Sequence, residues 1–88
     1  MLKISIISDS DQSIQFQLEG KLVGPWVEEL QRLSDEALSH QKDVSLDLER
    51  VSFVDSRGVT LLRDLARRQV SQVNCSQFVG QQLKEAAR

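Results

Sequence analysis

Apolar and polar residues alternate from the start of the chain. Leu2, Ile4 and Ile6 are separated by Lys3 and Ser5, the period of a strand with one buried face. Ser8-Asp9-Ser10-Asp11-Gln12 is a run of turn formers. Ile14, Phe16 and Leu18 then alternate with Gln15, Gln17 and Glu19, so the two segments read as a hairpin whose second strand Gly20 ends or bends. At Gly24-Pro25 the period changes. Proline suits the first turn of a helix, where its missing N–H is not needed, and Glu28 and Glu29 favour the positive helix end. Trp26, Val27, Leu30, Leu33, Ala37 and Leu38 form one stripe at helical spacing, which predicts a helix over about residues 25–39. Val44, Leu46 and Leu48 alternate with Ser45 and Asp47 as a third strand. Val51-Ser52-Phe53-Val54 leads into Asp55-Ser56-Arg57-Gly58, where Ser56 is the expected N-cap of a second helix. Val59, Leu62, Leu65 and Ala66 are that helix's expected buried side. A weaker strand follows between Val70 and Cys75. Last comes a short helix near residues 77–87 with Phe78, Val79, Leu83 and Ala86 as its apolar face.

The order β-β-α-β-α-β-α predicts an α/β fold. Strand-helix-strand units favour parallel pairing with right-handed crossovers, and the opening hairpin adds one antiparallel pair. The expected architecture is a four-stranded mixed sheet with three helices. Ile14, Phe16, Leu18, Leu30, Leu46, Leu48, Leu62 and Leu65 are its expected core. A length of 88 residues fits one small domain over residues 1–88.

Composition narrows the function. Hydrophobic residues make up 40% of the chain, enough for one core. The formal net charge of -2 gives no general attraction to nucleic acid or to an anionic membrane. No apolar run reaches membrane-spanning length, and the first residues lack the apolar stretch and cleavage site of a signal peptide. These features point to a cytoplasmic protein without membrane insertion. The lone cysteine, Cys75, permits no internal disulfide and is expected to be a small core residue rather than a reactive thiol. Asn74-Cys75-Ser76 matches a glycosylation pattern but has no secretory context.

Catalytic and metal-binding signatures are missing. His40 follows a helix with no cysteine or histidine nearby, so it reads as an exposed loop residue rather than a ligand. Two residues before Ser56 stands Val54, so there is no nucleophile elbow. Gly20-Lys21 lacks both the upstream glycine and the following Ser or Thr of a phosphate-cradling loop. Asp9 and Asp11 hint at a calcium loop, but Ile14 and Gly20 stand where glycine and glutamate are needed. They read as turn residues. Arg63, Arg67 and Arg68 put positive charge on the second helix, either as a solvated face with Asp64 and Arg68 paired at i,i+4 or as a binding surface. No cofactor, metal or catalytic residue is predicted.

One stretch carries more information. Val44 to Val59 reads as a strand ending in Asp47-Leu48, a short hydrophobic link, then Asp55-Ser56-Arg57-Gly58 opening a helix. It closely resembles the core signature of STAS domains, the family of bacterial anti-sigma factor antagonists. Leu18-Glu19-Gly20-Lys21-Leu22 resembles the family's Leu-x-Gly-x-Leu segment, and the likeness extends over roughly residues 2–87. In the antagonists, a serine at the position matched by Ser56 is phosphorylated by a partner kinase that is also the anti-sigma factor. The unphosphorylated form binds that kinase and frees the sigma factor, and a phosphatase resets the switch. The resemblance therefore implies a small STAS-like domain that regulates transcription by partner switching, with Ser56 as phosphoacceptor and Asp55, Ser56, Arg57 and Gly58 as the partner-binding segment.

A serine at a helix N-terminus is exposed and the site welcomes negative charge, which suits a switch. The cap rule alone also accounts for a serine there. Two features depart from the family. Arg57 stands where a small residue is usual, and would either obstruct the usual partner or pair with a phosphate on Ser56. Many antagonists also carry a further strand or helix beyond the point matched by Arg88. Two other function classes compete. One is a constitutive STAS subunit of a larger assembly, such as the small cytoplasmic component of a lipid-transport ATPase. The other, an enzyme with an unrecognised site, has few acid–base groups to draw on.

Overall fold

In the computed structural model, which describes residues 2–86, seven elements follow in the expected order. They are β1 (Leu2–Asp9), β2 (Ser13–Leu22), α1 (Pro25–Ser39), β3 (Asp43–Val54), α2 (Ser56–Arg67), β4 (Ser71–Val73) and α3 (Gln77–Ala86). The strands lie in the order β1-β2-β3-β4. β1 pairs antiparallel with β2, while β2–β3 and β3–β4 are parallel. This is the mixed four-stranded sheet with three helices that the periodicity predicts.

The core forms because the two periods converge. Ile14, Phe16, Leu18 and Leu22 of β2 and Val44, Leu46, Leu48, Val51 and Val54 of β3 are all buried. They share one cluster with Val27 and Leu30 of α1, Leu62 and Leu65 of α2 and Val79 of α3. The three helices thus cover one face of the sheet. The other face carries Ser5, Gln15, Gln17 and Ser45 and remains partly exposed. Asp47 is the exception there: it is 7% exposed, and its Oδ1 accepts a hydrogen bond from the Glu49 N–H at 3.0 Å.

Several expectations are corrected. The third strand does not end at Leu48. β3 continues to Val54, its pairing with β2 interrupted by irregularities between Gln17 and Glu19 and between Gly20 and Lys21. Gly20, at φ 113°, bends β2 rather than ending it. A bulge between Ile6 and Ser8 bends β1, and Ile6 is 58% exposed because β1 is an edge strand. Ala66 is exposed, and Leu61 takes its place on the buried side of α2. Arg68 bonds Asp35 on α1 at 2.5 Å instead of Asp64 on its own helix. Cys75 is exposed, beyond the end of β4. Asp9, expected in the turn, instead closes β1, with an ion pair to Lys42 at 2.7 Å, whereas His40 is exposed after α1 as expected. Of the expected apolar face of α3, Val79 is buried and Leu83 half-buried, while the side chains of Phe78 and Ala86 lie outside the described residues.

Candidate functional site

β2 and β3 end side by side, with Leu22 paired to Val54. Helix α1 starts just after the first of these strands and α2 just after the second, so both helix N-termini meet at one edge of the sheet. In open α/β sheets this carboxyl edge is where ligands and partners are met. Gly24 precedes α1 at φ 56° and ψ −132°, a backbone conformation that suits glycine.

Asp55 joins the two starts. Its Oδ1 accepts from the Gly58 N–H at 2.8 Å, capping α2, and its Oδ2 accepts from the Gly24 N–H at 3.0 Å. Its own N–H donates to the Leu22 carbonyl at 3.2 Å. The expected cap, Ser56, is instead the first residue of the helix. Asp and Ser are almost equally good caps. Asp55 prevails because it is extended (φ −80°, ψ 178°), the backbone geometry of a cap. Partial burial acts to raise the Asp55 carboxyl pKa. The hydrogen bonds from Gly58 and Gly24 and the nearby Arg57 charge outweigh it and hold the group below the usual carboxylate range.

Relieved of capping, Ser56 is exposed, and its carbonyl accepts from the Thr60 hydroxyl at 3.0 Å. Arg57 also points outward, and its guanidinium donates to Glu28 of α1 at 2.8 Å. Gly58 turns the other way and is buried. A Cβ there would lie 2.7 Å from Val54 Cγ1 and 2.9 Å from the Leu22 carbonyl oxygen. The four residues of the segment thus divide: Asp55 and Gly58 build the corner, while Ser56 and Arg57 face solvent.

Beside them a groove of about 430 Å³ runs between α1 and α2. Gln31 lines it from α1, and Ser56, Thr60, Arg63 and Arg67 from α2. Gln31, Thr60 and the Glu28 partner of Arg57 carry no motif, and only the packing of α1 against α2 brings them here. From α3, Gln82 Nε2 donates to the Val54 carbonyl at 2.9 Å, tying that helix to the end of β3. Among the described residues no group of three His, Cys, Asp or Glu side chains could hold a metal ion. Nor is any helix among them long and apolar enough to cross a membrane.

A family model described as "Mlab, STAS domain" matches residues 6–84. The chain belongs to the STAS domain family. Solved structures agree on the fold of this STAS domain. SpoIIAA, an anti-sigma factor antagonist in its unphosphorylated form, is similar with a TM-score of 0.63 at 23% identity, over 76% of this chain. The STAS domain spans 63% of the SpoIIAA chain, less than two thirds of its length. A STAS-domain antisigma-factor antagonist from Rhodobacter sphaeroides gives a TM-score of 0.63 at 22% identity, covering 83% of this chain and 86% of that one. A protein with a SpoIIAA-like fold from Shewanella loihica gives 0.59 at 17% identity, covering 88% and 69%. No curated protein matches the sequence. The family model and these structures agree on a STAS fold for this chain.

Proposed function

We propose that this chain is a single STAS domain that acts in the cytoplasm by binding a protein partner rather than by catalysis, and that Ser56 controls the binding. The observation that carries this reading is the division of the Asp55–Gly58 segment. Asp55 caps α2, so the Ser56 hydroxyl is left exposed at a helix N-terminus with no structural duty in the cap. A phosphate there would add about 1.5–2 negative charges beside Asp55. The helix end tolerates that charge, so the fold survives and a docked partner bears the consequence. The partner class is the one the resemblance implies: an anti-sigma factor with serine-kinase activity, opposed by a phosphatase. Asp55 and Gly58 then shape the docking segment, and Ser56 and Arg57 touch the partner.

The test starts from pull-down with the unmodified protein and titrates Ser56→Ala and Ser56→Asp against the partner recovered. The Ala variant keeps the site neutral and binds like the parent. The Asp variant binds at least about tenfold more weakly, equivalent to ~1.4 kcal/mol. A phosphopeptide containing Ser56, found by mass spectrometry of protein from the native cell, completes the case. Equal affinities of the two variants would refute the charge switch.

A second reading has one observation in its favour. The matching family model is described by the name Mlab, not as an antagonist. On that reading the same α1–α2 surface docks constitutively in a transporter or another multiprotein assembly. Copurification with one stable partner, indifferent to the charge at Ser56, is its expected signature.

A further inference from the structure

At the hairpin end of the sheet, the end remote from Ser56, a second groove of about 470 Å³ lies between β1 and the C-terminal half of α1. Its floor is apolar: Ile6, Ile14, Phe16, Leu33 and Ala37. Its rim is acidic. Asp9, Asp11 and Glu36 line it with one cation, Lys42, which is paired with Asp9, while Glu36 lies 3.8 Å from Arg32 on its own helix, so the rim keeps a surplus of one carboxylate. Two neighbouring features point outward from the same place. Ile6 and Ile7 are 58% and 48% exposed, the most exposed large hydrophobic residues described. Among the described residues β1 has no strand neighbour on its outer side, so alternate backbone N–H and C=O groups there lack strand partners.

We propose that this groove is a second docking site, which takes an extended segment of a partner protein carrying an aliphatic side chain flanked by lysine or arginine. The aliphatic group would cover Ile6 and enter the groove above Phe16 and Leu33. The basic residues would meet the carboxylates of Asp9, Asp11 and Glu36. The segment's backbone would pair with the free edge of β1, the geometry of strand addition. The surplus carboxylate on the rim selects a basic segment over an acidic one. A second copy of this chain fits less well. Its β1 carries one lysine and ends in an aspartate, so it offers less positive charge to the rim than a segment with basic residues on both sides.

The probe is a synthetic peptide, Lys-Val-Leu-Val-Lys, titrated into isotopically labelled protein and followed by amide chemical shifts. Shifts are expected at Ile6, Ile7, Ala37 and His40, and not at Ser56. Glu36→Gln and Asp11→Asn should each weaken binding by roughly 2- to 4-fold, as expected for an exposed charge pair. Ile6→Ser should weaken it more, with the melting curve unchanged because Ile6 is exposed. A peptide with glutamate in place of both lysines should leave the spectrum unmoved. Equal responses to the basic and acidic peptides would overturn the proposal, as would no localised shifts at millimolar peptide. Sedimentation showing a homodimer that Ile6→Ser disperses would also overturn it, because the surface would then belong to a second copy.

Discussion

Gly58→Ala sets two effects of opposite sign against each other. Alanine is the better helix former, by up to about 1 kcal/mol, so propensity alone predicts a more stable protein. The packing predicts the reverse. The new Cβ would stand 2.7 Å from Val54 Cγ1, 3.2 Å from Leu22 Cγ and 2.9 Å from the Leu22 carbonyl oxygen. Val54 is 1% exposed and Leu22 fully buried, so neither side chain has room to swing away. The carbonyl is backbone, and it also accepts the Asp55 N–H. Relief therefore requires the first turn of α2 to lift off the strand ends. Overpacking of this kind costs about 1–3 kcal/mol. Set against the full propensity gain, the net loss is about 0–2 kcal/mol. The unfolding entropy of an 88-residue chain is about 0.19 kcal/mol per kelvin, so the melting temperature should fall, by up to roughly 10 °C. Thermal unfolding followed by far-UV circular dichroism reads this directly, and urea titration checks it. A rise in melting temperature would refute the reasoning, because propensity would then have outweighed the contact with Leu22.

Two further outcomes test the corner. Asp55→Ala removes the cap of α2 and the tie to Gly24 together and should cost about 1–2 kcal/mol in urea unfolding, whereas Ser56→Ala should stay within ~0.5 kcal/mol. The Asp55 carboxyl sits below its ordinary range in the folded protein, so its stabilisation is fully present above the unfolded pKa of about 4 and is lost as pH falls through the folded value. Acid unfolding curves should therefore steepen below about pH 4, and Asp55→Asn should flatten that part of the profile.

Much of the fold was legible because the chain keeps strict periods where it is buried. Phe16 and Leu18, or Leu30 and Leu62, fall on faces that only one arrangement can cover. What was not legible depended on neighbours distant in sequence. Nothing in β1 says that it ends up at a sheet edge, so the exposure of Ile6 was hidden. Asp64 is the helical neighbour of Arg68, but the packing of α1 on α2 brings Asp35 closer to hand. Cys75 has the composition of a core residue, yet β4 stops at Val73 and Asn74 turns the chain at φ 57°. At the site itself, the Asp55–Ser56 pair offered two capping residues in a row. The choice rests on the backbone angles of Asp55 and on the arrival of Gly24, thirty-one positions earlier.

That long reach has a consequence for recognition. The corner that presents Ser56 exists only when the end of β2, the start of α1 and the end of β3 have come together, because Asp55 holds Gly24 and Leu22 from across the crossover. An unfolded or partly folded chain contains the same tetrapeptide but not the surface. Any protein that reads this corner by shape therefore inspects the state of its target before acting on it. Nascent, damaged or locally opened copies would pass unread, and a signal sent through Ser56 would count only intact molecules.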